Sequence, residues 1–142
     1  MIQRLFCALA GLLLLAGCAQ ISSPVGTSCY HLNPAVETAI GYCETMRAGD
    51  VWYISGSVGK GDMPAAMRGA YDELKRTLQA NGLGFENVVK ENVFTTDLDA
   101  FIHNKDIRRT YYGQHLPAAS WVEVRRLYSA DLVVEIELTA VK

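Results

Sequence analysis

The chain has 142 residues, of which 50% are hydrophobic, and its 13 Lys and Arg stand against 15 Asp and Glu for a formal net charge of −2. This length predicts a single domain. The weakly acidic balance excludes the electrostatic attraction on which nucleic-acid binding depends, so we expect no nucleic-acid partner. The histidines at 31, 103 and 115 are far apart and no Cys-x-x-Cys pair is present, so we expect neither a metal nor a cofactor.

The N-terminus is typical of an export signal. Arg4 precedes residues 5–17, which carry no charged or strongly polar side chain. This run is shorter than the roughly 20 residues of a transmembrane helix and fits the apolar region of a signal peptide. It ends in Leu15-Ala16-Gly17-Cys18, which resembles the lipobox of bacterial lipoproteins, where the cysteine takes a diacylglyceryl group before cleavage. An ordinary signal peptide that happens to contain a cysteine is the alternative.

These features divide the chain into three parts. We expect a signal peptide over 1–17, a lipidated Cys18 with a flexible tether over 18–28, and one domain over 29–142. Lipid on Cys18 would anchor the domain to a bacterial membrane, facing the periplasm or the outside. Ala19 rather than Asp follows the cysteine, which favours the outer membrane in a Gram-negative cell.

Two cysteines, Cys29 and Cys43, remain in the predicted domain. In an oxidising compartment a disulfide between them would close a modest loop and stabilise the fold by about 3 kcal/mol. Two buried free thiols are the alternative, and the sequence leaves both open.

The predicted elements alternate between short strands and two helices. Alternation and turn residues predict strands over Cys29–Leu32, ended by Asn33-Pro34, and over Cys43–Arg47, Val51–Ser55, Val88–Phe94, Ser120–Tyr128 and Leu132–Val141. After a loop over Gly59–Asp62, helical spacing predicts a helix that begins at the N-cap Asp62 and ends at Asn81-Gly82. A second helix, capped by Thr95-Thr96-Asp97, is predicted over roughly Leu98–Tyr112. The order β-β-β-α-β-α-β-β describes one sheet with two helices on one face.

The last strand has two unlike faces. One face holds Leu132, Val134, Ile136, Leu138 and Ala140, whereas the other holds Val133, Glu135, Glu137, Thr139 and Val141. The second face mixes apolar groups with carboxylates. A partly exposed face is one interpretation. We favour a face covered by another subunit, with Glu135 or Glu137 in a pocket.

Four segments carry a resemblance to a known family. They are Tyr42–Gly56 (YCETMRAGDVWYISG), Val88–Phe101 (VVKENVFTTDLDAF), Pro117–Leu127 (PAASWVEVRRL) and Val134–Glu137 (VEIE). In this order they resemble the Rid family of reactive intermediate deaminases, the YjgF-type and endoribonuclease L-PSP-like proteins. The likeness covers about residues 38–142.

The resemblance implies an α+β, chorismate-mutase-like fold with one mixed sheet and two helices on one face. It also implies a homotrimer with three small-molecule pockets between subunits. Family members hydrolyse enamines and imines such as 2-aminoacrylate to a 2-keto acid and ammonia. By resemblance, Tyr42 is the pocket tyrosine, Ser55 and Gly56 are the Ser-Gly pair at a strand end, and Glu135 is the glutamate that positions water.

Three positions depart from the family pattern. Ala119 stands where the family has the arginine that binds the substrate carboxylate, Trp121 stands where a small residue is common, and Lys105 stands at an asparagine position. We prefer Lys105 as a substitute cation. The other candidates, which would otherwise be solvated surface charges, are Arg108, Arg109, Arg125 and Arg126.

Two functions follow from this pattern. Because Ala119 offers no donors for a carboxylate, the favoured hypothesis is a divergent, lipid-anchored trimer that binds a small molecule in its pocket. The alternative is an active hydrolase whose substrate is an imine without a carboxylate, since Tyr42, Ser55 and Glu135 are all present.

Overall fold

The computed structural model describes residues 26–142. The predicted signal peptide, Cys18 and most of the predicted tether lie outside the described residues. In the part that is described, no helix is both long enough and apolar enough to cross a membrane.

The domain is a six-stranded mixed sheet with four α-helices. The elements are β1 (Thr27–Tyr30), α1 (Pro34–Ile40), β2 (Thr45–Ala48), β3 (Val51–Lys60), α2 (Met63–Ala80), a 3-10 turn (Phe85–Asn87), β4 (Val88–Thr95), α3 (Leu98–His103), α4 (Asp106–Tyr112), β5 (Ala118–Glu123) and β6 (Leu132–Val141). The strand order is β1-β2-β3-β6-β4-β5. All neighbours are antiparallel except β4 and β5, which are parallel. The predicted α+β class is therefore confirmed.

The core lies between the sheet and α2. This helix begins where the Asp62 side chain accepts a hydrogen bond from the Ala65 N–H, at 2.8 Å, as predicted for an N-cap. Its buried face carries Met67, Tyr71 and Leu74. The matching face of β6 buries Val134, Ile136, Leu138 and Ala140, whereas Leu132, which the sequence places on the same face, is half-buried.

Several predicted boundaries were wrong. Asn33-Pro34 does not simply end a strand; it starts α1, where Asn33 is the N-cap and Pro34 occupies the first turn, a position that suits proline. The single helix predicted over 98–112 is two helices, because the chain turns at Asn104, whose side-chain amide donates to the Ala100 carbonyl at 2.9 Å. No glycine or proline marks that turn.

The strands also differ in length from the prediction. β2 begins at Thr45 instead of Cys43. β3 runs through the predicted loop as far as Lys60, because Gly59 allows the backbone of α2 at Ala66 to pack directly on the strand. β5 ends at Glu123, opposite the last residue of its only neighbour, β4, so the ladder that would extend it to Tyr128 is missing.

The face of the sheet away from the helices is open and partly apolar. Tyr53 is 52% exposed, Val122 43% and Val58 40%. Exposed apolar groups on one face of a sheet are typical of surfaces that pack against another chain.

Candidate functional site

The pairing of β3 with β6 is irregular between Ile54 and Ser57. Such an irregularity bends a strand and redirects its side chains. The two residues inside it are Ser55 and Gly56. Glu135 lies beside them on β6, where it pairs with Val58.

A cavity of about 420 Å³ opens at this irregularity, and we call it the carboxylate cavity. It is lined by Tyr42, Ser55, Gly56, Glu135, Ile40, Val58, Tyr128 and Leu132. By resemblance, four of these residues belong to the family's site: Tyr42, Ser55, Gly56 and Glu135. The structure brings them together in one cavity, although they come from three different segments of the chain. An adjoining cavity of about 570 Å³ is also lined by Tyr42 and Ser55, and Glu137 is among its other lining residues.

Gly56 leaves the space that the Glu135 carboxylate occupies. A β-carbon at position 56 would overlap Oε1 of Glu135 and lie 2.7 Å from its Cγ. Burial, and after it the nearby Glu137, raises the pKa of Glu135 above its ordinary value. The result is a carboxylate that holds a proton more readily than a solvated glutamate does.

Ser55 and Tyr42 line the same cavity as this carboxylate, and backbone hydrogen bonds fix Ser55 there. The Ser55 hydroxyl donates to the Cys43 carbonyl at 2.7 Å, and the Ser55 N–H donates to the Glu44 carbonyl at 2.9 Å. Burial, and then the carboxylates of Glu44 and Glu37, raise the pKa of Tyr42, so its hydroxyl keeps its proton and can donate.

Two buried carboxylates position the segment that carries Tyr42. Glu37 is only 2% exposed and accepts hydrogen bonds from His31 Nδ1 at 2.7 Å, from the Glu44 N–H at 3.2 Å and from the Asn33 N–H. Although burial alone would raise the pKa of Glu37, these donors lower it below the ordinary value. Glu44 accepts from the Thr77 hydroxyl at 2.7 Å, and burial raises its pKa.

A separate cavity, of about 190 Å³, lies between α4, β5 and the loop that joins them. We call it the arginine cavity. It is lined by Lys105, Asp106, Arg108, Arg109, Tyr112, Gly113, His115, Leu116 and Trp121. Two predicted ligand-binding residues, Lys105 and Trp121, therefore meet there, whereas Ala119 is exposed and does not line this cavity.

Arg108 is fixed in this cavity by a buried carboxylate. Its Nε donates to Oε1 of Glu91 at 2.7 Å, and Glu91 is 0% exposed. Tyr71 and Trp121 also donate to Glu91, at 3.1 and 3.2 Å. The guanidinium lies 4.3 Å above the Tyr112 ring. Although burial alone would lower the pKa of Arg108, its bond to Glu91 raises it, so Arg108 is charged.

The outer end of Arg108 is available for a ligand. Among the contacts within residues 26–142, Arg108 donates one hydrogen bond, from Nε, so both Nη groups remain for another acceptor. The Tyr112 ring, over which the guanidinium lies, also lines this cavity. Donors of this kind are suited to an anion such as a carboxylate.

Ala119 lies on β5, directly beside Glu91 on β4. It pairs with Glu91 across the parallel ladder of β4 and β5, and paired residues project from the same face of a sheet. The register partner of Ala119 therefore holds a guanidinium, that of Arg108. Arg125 and Arg126, in contrast, lie exposed on the segment after β5.

Three side chains that could ligate a metal also meet in the structure. The Sγ atoms of Cys29 and Cys43 and a ring nitrogen of His31 all lie within 4.8 Å of one another. The two sulfur atoms are 2.00 Å apart, as a disulfide, and in that form they are not metal ligands. The spacing in sequence gave no such signal because α1 separates Cys43 from the other two.

Comparison with known proteins identifies the family. The model of the family described as Endoribonuclease L-PSP matches residues 33–142. A RutC family protein of Pyrococcus horikoshii is 30% identical over 110 residues, covering 71% of this chain and 86% of the relative. The crystal structure of a YjgF/YER057c/UK114 family member from Mycobacterium tuberculosis has a TM-score of 0.75 and 27% identity, over 82% of this chain and all of the other. The chain belongs to the endoribonuclease L-PSP family, also called RutC or YjgF.

Some of the similar relatives are named for an activity. The 2-iminobutanoate/2-iminopropanoate deaminase of Escherichia coli K12 is 36% identical over 84 residues, covering 57% of this chain and 65% of the relative. The family and the fold that the sequence implied are thus confirmed.

The buried acidic groups were not predicted from the sequence. Glu91 and the buried Val93 are two residues apart on β4 and therefore lie on the same face of the strand. The alternation of faces along the strand could thus have indicated a buried carboxylate. Arg108 was considered only as a substitute cation less favoured than Lys105. Nothing in the spacing of positions 91 and 108 indicates that they pair, because the contact joins a strand to a later helix.

Proposed function

We propose that this protein hydrolyses small imines or enamines, at a site assembled from two copies of the chain in a homotrimer. The observation that carries the proposal is the Glu135 carboxylate, set over Gly56 in the same cavity as Ser55 and Tyr42, with its pKa raised by burial. The name of the Escherichia coli relative supports the same class of reaction.

The chemistry is the addition of water to a carbon–nitrogen double bond. Glu135 accepts a proton from water as the water oxygen bonds to the imine carbon. Glu135 passes that proton to the nitrogen, which gives a carbinolamine. Glu135 then moves the hydroxyl proton to the amino nitrogen as the carbon–nitrogen bond breaks, and a carbonyl compound and ammonia leave. A carboxylate with a raised pKa suits this role, because it is a stronger base than a solvated glutamate. Tyr42 and Ser55 would orient the substrate.

Arg108 supports a substrate that carries a carboxylate. Its two free Nη groups offer the paired donors that a carboxylate accepts, and its bond to Glu91 fixes their position. Lys105 and Arg109 line the same cavity and add positive charge. On this proposal the cation absent at position 119 is supplied by Arg108, and 2-imino acids remain within the substrate class.

The separation of the two cavities supports a site between subunits. In one chain β6 and β4 lie between β3, which carries Ser55, and β5, which carries Trp121. A closed ring of identical chains would bring the β3 end of one subunit to the β5 end of the next. The exposed apolar residues on the open face of the sheet are consistent with burial in such a ring.

The proposed location is outside the cytoplasm. Lipid on Cys18 would hold each subunit to a bacterial membrane, with three lipidated cysteines for one trimer. Several acyl chains together give stable attachment. The Leu15–Cys18 segment is the support for this part of the proposal.

A non-catalytic binding protein is the second candidate. Trp121 favours it, because the indole packs against Phe101 with ring centroids 5.1 Å apart and occupies a wall of the arginine cavity. That wall would restrict the space for a reacting substrate. A small anion could still bind at Arg108 without being transformed.

A coupled assay tests the proposal. 2-Iminopropanoate is generated enzymatically, the purified full-length chain in detergent is added, and pyruvate release is followed. We expect release well above the rate in buffer. Binding of pyruvate or a similar carboxylate with no acceleration would contradict the hydrolase and support the binding protein. Cleavage of single-stranded RNA in a parallel assay would contradict both.

A further inference from the structure

The group formed by Cys29, His31 and Cys43 has a feature that a structural disulfide alone does not explain. His31 Nε2 lies 3.2 Å from Cys29 Sγ, while His31 Nδ1 contacts Oε2 of Glu37 at 2.7 Å. A carboxylate accepts hydrogen bonds, so Nδ1–H donates to Glu37. The other ring nitrogen, Nε2, therefore faces the cysteine sulfurs.

Glu37 fixes the ring in this orientation. The carboxylate is almost fully buried and is itself held by the N–H groups of Asn33 and Glu44. A histidine whose second nitrogen donates to a carboxylate is the usual arrangement behind a metal ligand, because the carboxylate sets both the tautomer and the direction of the ring. Here that direction is toward two cysteine sulfurs.

We propose that, when its disulfide is reduced, the chain binds one thiophilic divalent cation such as Zn²⁺ through Cys29, Cys43 and His31. Two thiolates and one imidazole with a water in the fourth position form a known tetrahedral zinc set. The site lies outside the carboxylate and arginine cavities and does not depend on the proposed function.

The chemistry balances in two steps. A phosphine or dithiol reductant supplies two electrons, and with two protons the disulfide becomes two thiols. Zn²⁺ then displaces two protons from the thiols and binds His31 Nε2. At zinc–sulfur distances of about 2.3 Å the sulfurs must separate to about 3.8 Å. The cysteine Cα atoms are 5.6 Å apart, so rotation of the side chains can supply this change.

The site is accessible and adjoins the cavity that Tyr42 lines. Cys29 is exposed and His31 and Cys43 are half-buried, so a hydrated ion can reach them. His31 and Cys43 also line the 570 Å³ cavity with Tyr42 and Ser55. A bound ion would therefore stand at the rim of that cavity.

Cobalt titration of the full-length chain in detergent tests the proposal. The protein is reduced with a phosphine, freed of reductant without air, and titrated with Co²⁺ and then Zn²⁺. We expect one Co²⁺ per chain, with thiolate charge-transfer and tetrahedral d–d bands, and displacement by Zn²⁺. The oxidised chain should bind none.

Variants identify the ligands. Cys43→Ser should abolish the charge-transfer band. His31→Ala and Glu37→Gln should each weaken binding about 10- to 100-fold, whereas His103→Ala, a matched histidine change far from the site in sequence, should leave it unchanged. Circular dichroism checks that each variant is folded, and His31→Gln replaces His31→Ala if the latter unfolds. No Co²⁺ bands in the reduced chain, or full affinity in both folded His31 variants, would overturn the site.

Discussion

The carboxylate cavity and the arginine cavity have opposite chemistry. The carboxylate cavity holds Glu135, a proton acceptor with a raised pKa, whereas the arginine cavity holds Arg108, a charged donor of hydrogen bonds. The first can move a proton but, among the residues that line it, has no cation for a carboxylate. The second has three cations and one carboxylate, Asp106, among the residues that line it, so it can hold an anion. Each cavity supplies what the other lacks.

The cavities also differ in how their charged group is held. The Glu135 carboxylate occupies the space that a side chain at position 56 would fill, so its position requires Gly56. Arg108 depends on a buried partner, Glu91, which is hydrogen-bonded by three side chains. A change at the first should therefore affect activity more than stability, while a change at the second should affect both.

The largest expected effect is at Glu135. Glu135→Gln removes the proton acceptor and should lower kcat/KM for 2-iminopropanoate by about 10²- to 10⁴-fold. Because burial raises the pKa of Glu135 and its base form is the active one, wild-type kcat/KM should rise with pH through a pKa above that of an ordinary glutamate. Glu137→Gln is the matched control, since Glu137 accepts from Asn92 at 2.8 Å and should keep most activity. Equal losses of kcat/KM in Glu135→Gln and Glu137→Gln would contradict the assignment of Glu135 as the proton acceptor.

The next effect separates binding from folding at Arg108. Arg108→Met alone leaves Glu91 buried without its cation and should destabilise the fold by about 3–5 kcal/mol. Arg108→Met with Glu91→Met removes both charges and should restore most of that stability. The double variant should still raise KM about 10- to 150-fold, which corresponds to about 1.5–3 kcal/mol for hydrogen bonds to a charged group. Denaturant unfolding and initial rates measure the two quantities, with Arg126→Met as control. An unchanged KM in the double variant would exclude Arg108 as the anchor.

A smaller effect is expected at Gly56. In Gly56→Ala the new methyl group displaces the Glu135 carboxylate, so kcat should fall by about tenfold or more through lost alignment. The free energy of unfolding should change little, because the carboxylate can rotate away. Gly69→Ala is the matched control, since a β-carbon there has no atom within 4 Å. Full activity in Gly56→Ala would show that the position of Glu135 is unimportant.

The smallest effect concerns acid stability. The pKa of Glu37 is lowered in the folded chain, so its stabilisation is complete above the pKa of an unfolded glutamate and is lost as the pH falls through the folded value. Glu37→Gln should remove about 1–2 kcal/mol of unfolding free energy at pH 7 and little at low pH. A constant difference from pH 7 down to pH 2 would mean that ionisation of Glu37 is not the cause.

The sequence predicted most of the framework and part of the site. Alternation along 132–141 and the caps at Asp62 and Asp97 are local signals, and the structure has all three. The family resemblance named Tyr42, Ser55, Gly56 and Glu135, which do line one cavity.

Side-chain pairings between different elements could not be predicted from the sequence. Arg108 and Glu91 are 17 residues apart and His31 and Glu37 are 6 apart, and neither spacing is a known motif. The break at Asn104 was missed for a related reason: a side-chain amide ends the helix there, and asparagine inside a polar stretch is a weak signal.

The most direct test of a site shared between subunits is complementation. Chains with Glu135→Gln and chains with Arg108→Met and Glu91→Met are each expected to have a low kcat/KM, the first through kcat and the second through KM, and activity is measured at substrate concentrations far below KM. If a site takes Glu135 from one subunit and Arg108 from the next, every mixed trimer contains one intact site. Random 1:1 mixing in co-expressing cells should therefore restore about a quarter of the wild-type activity per chain. No recovery in trimers that mass spectrometry shows to be mixed would contradict the shared site.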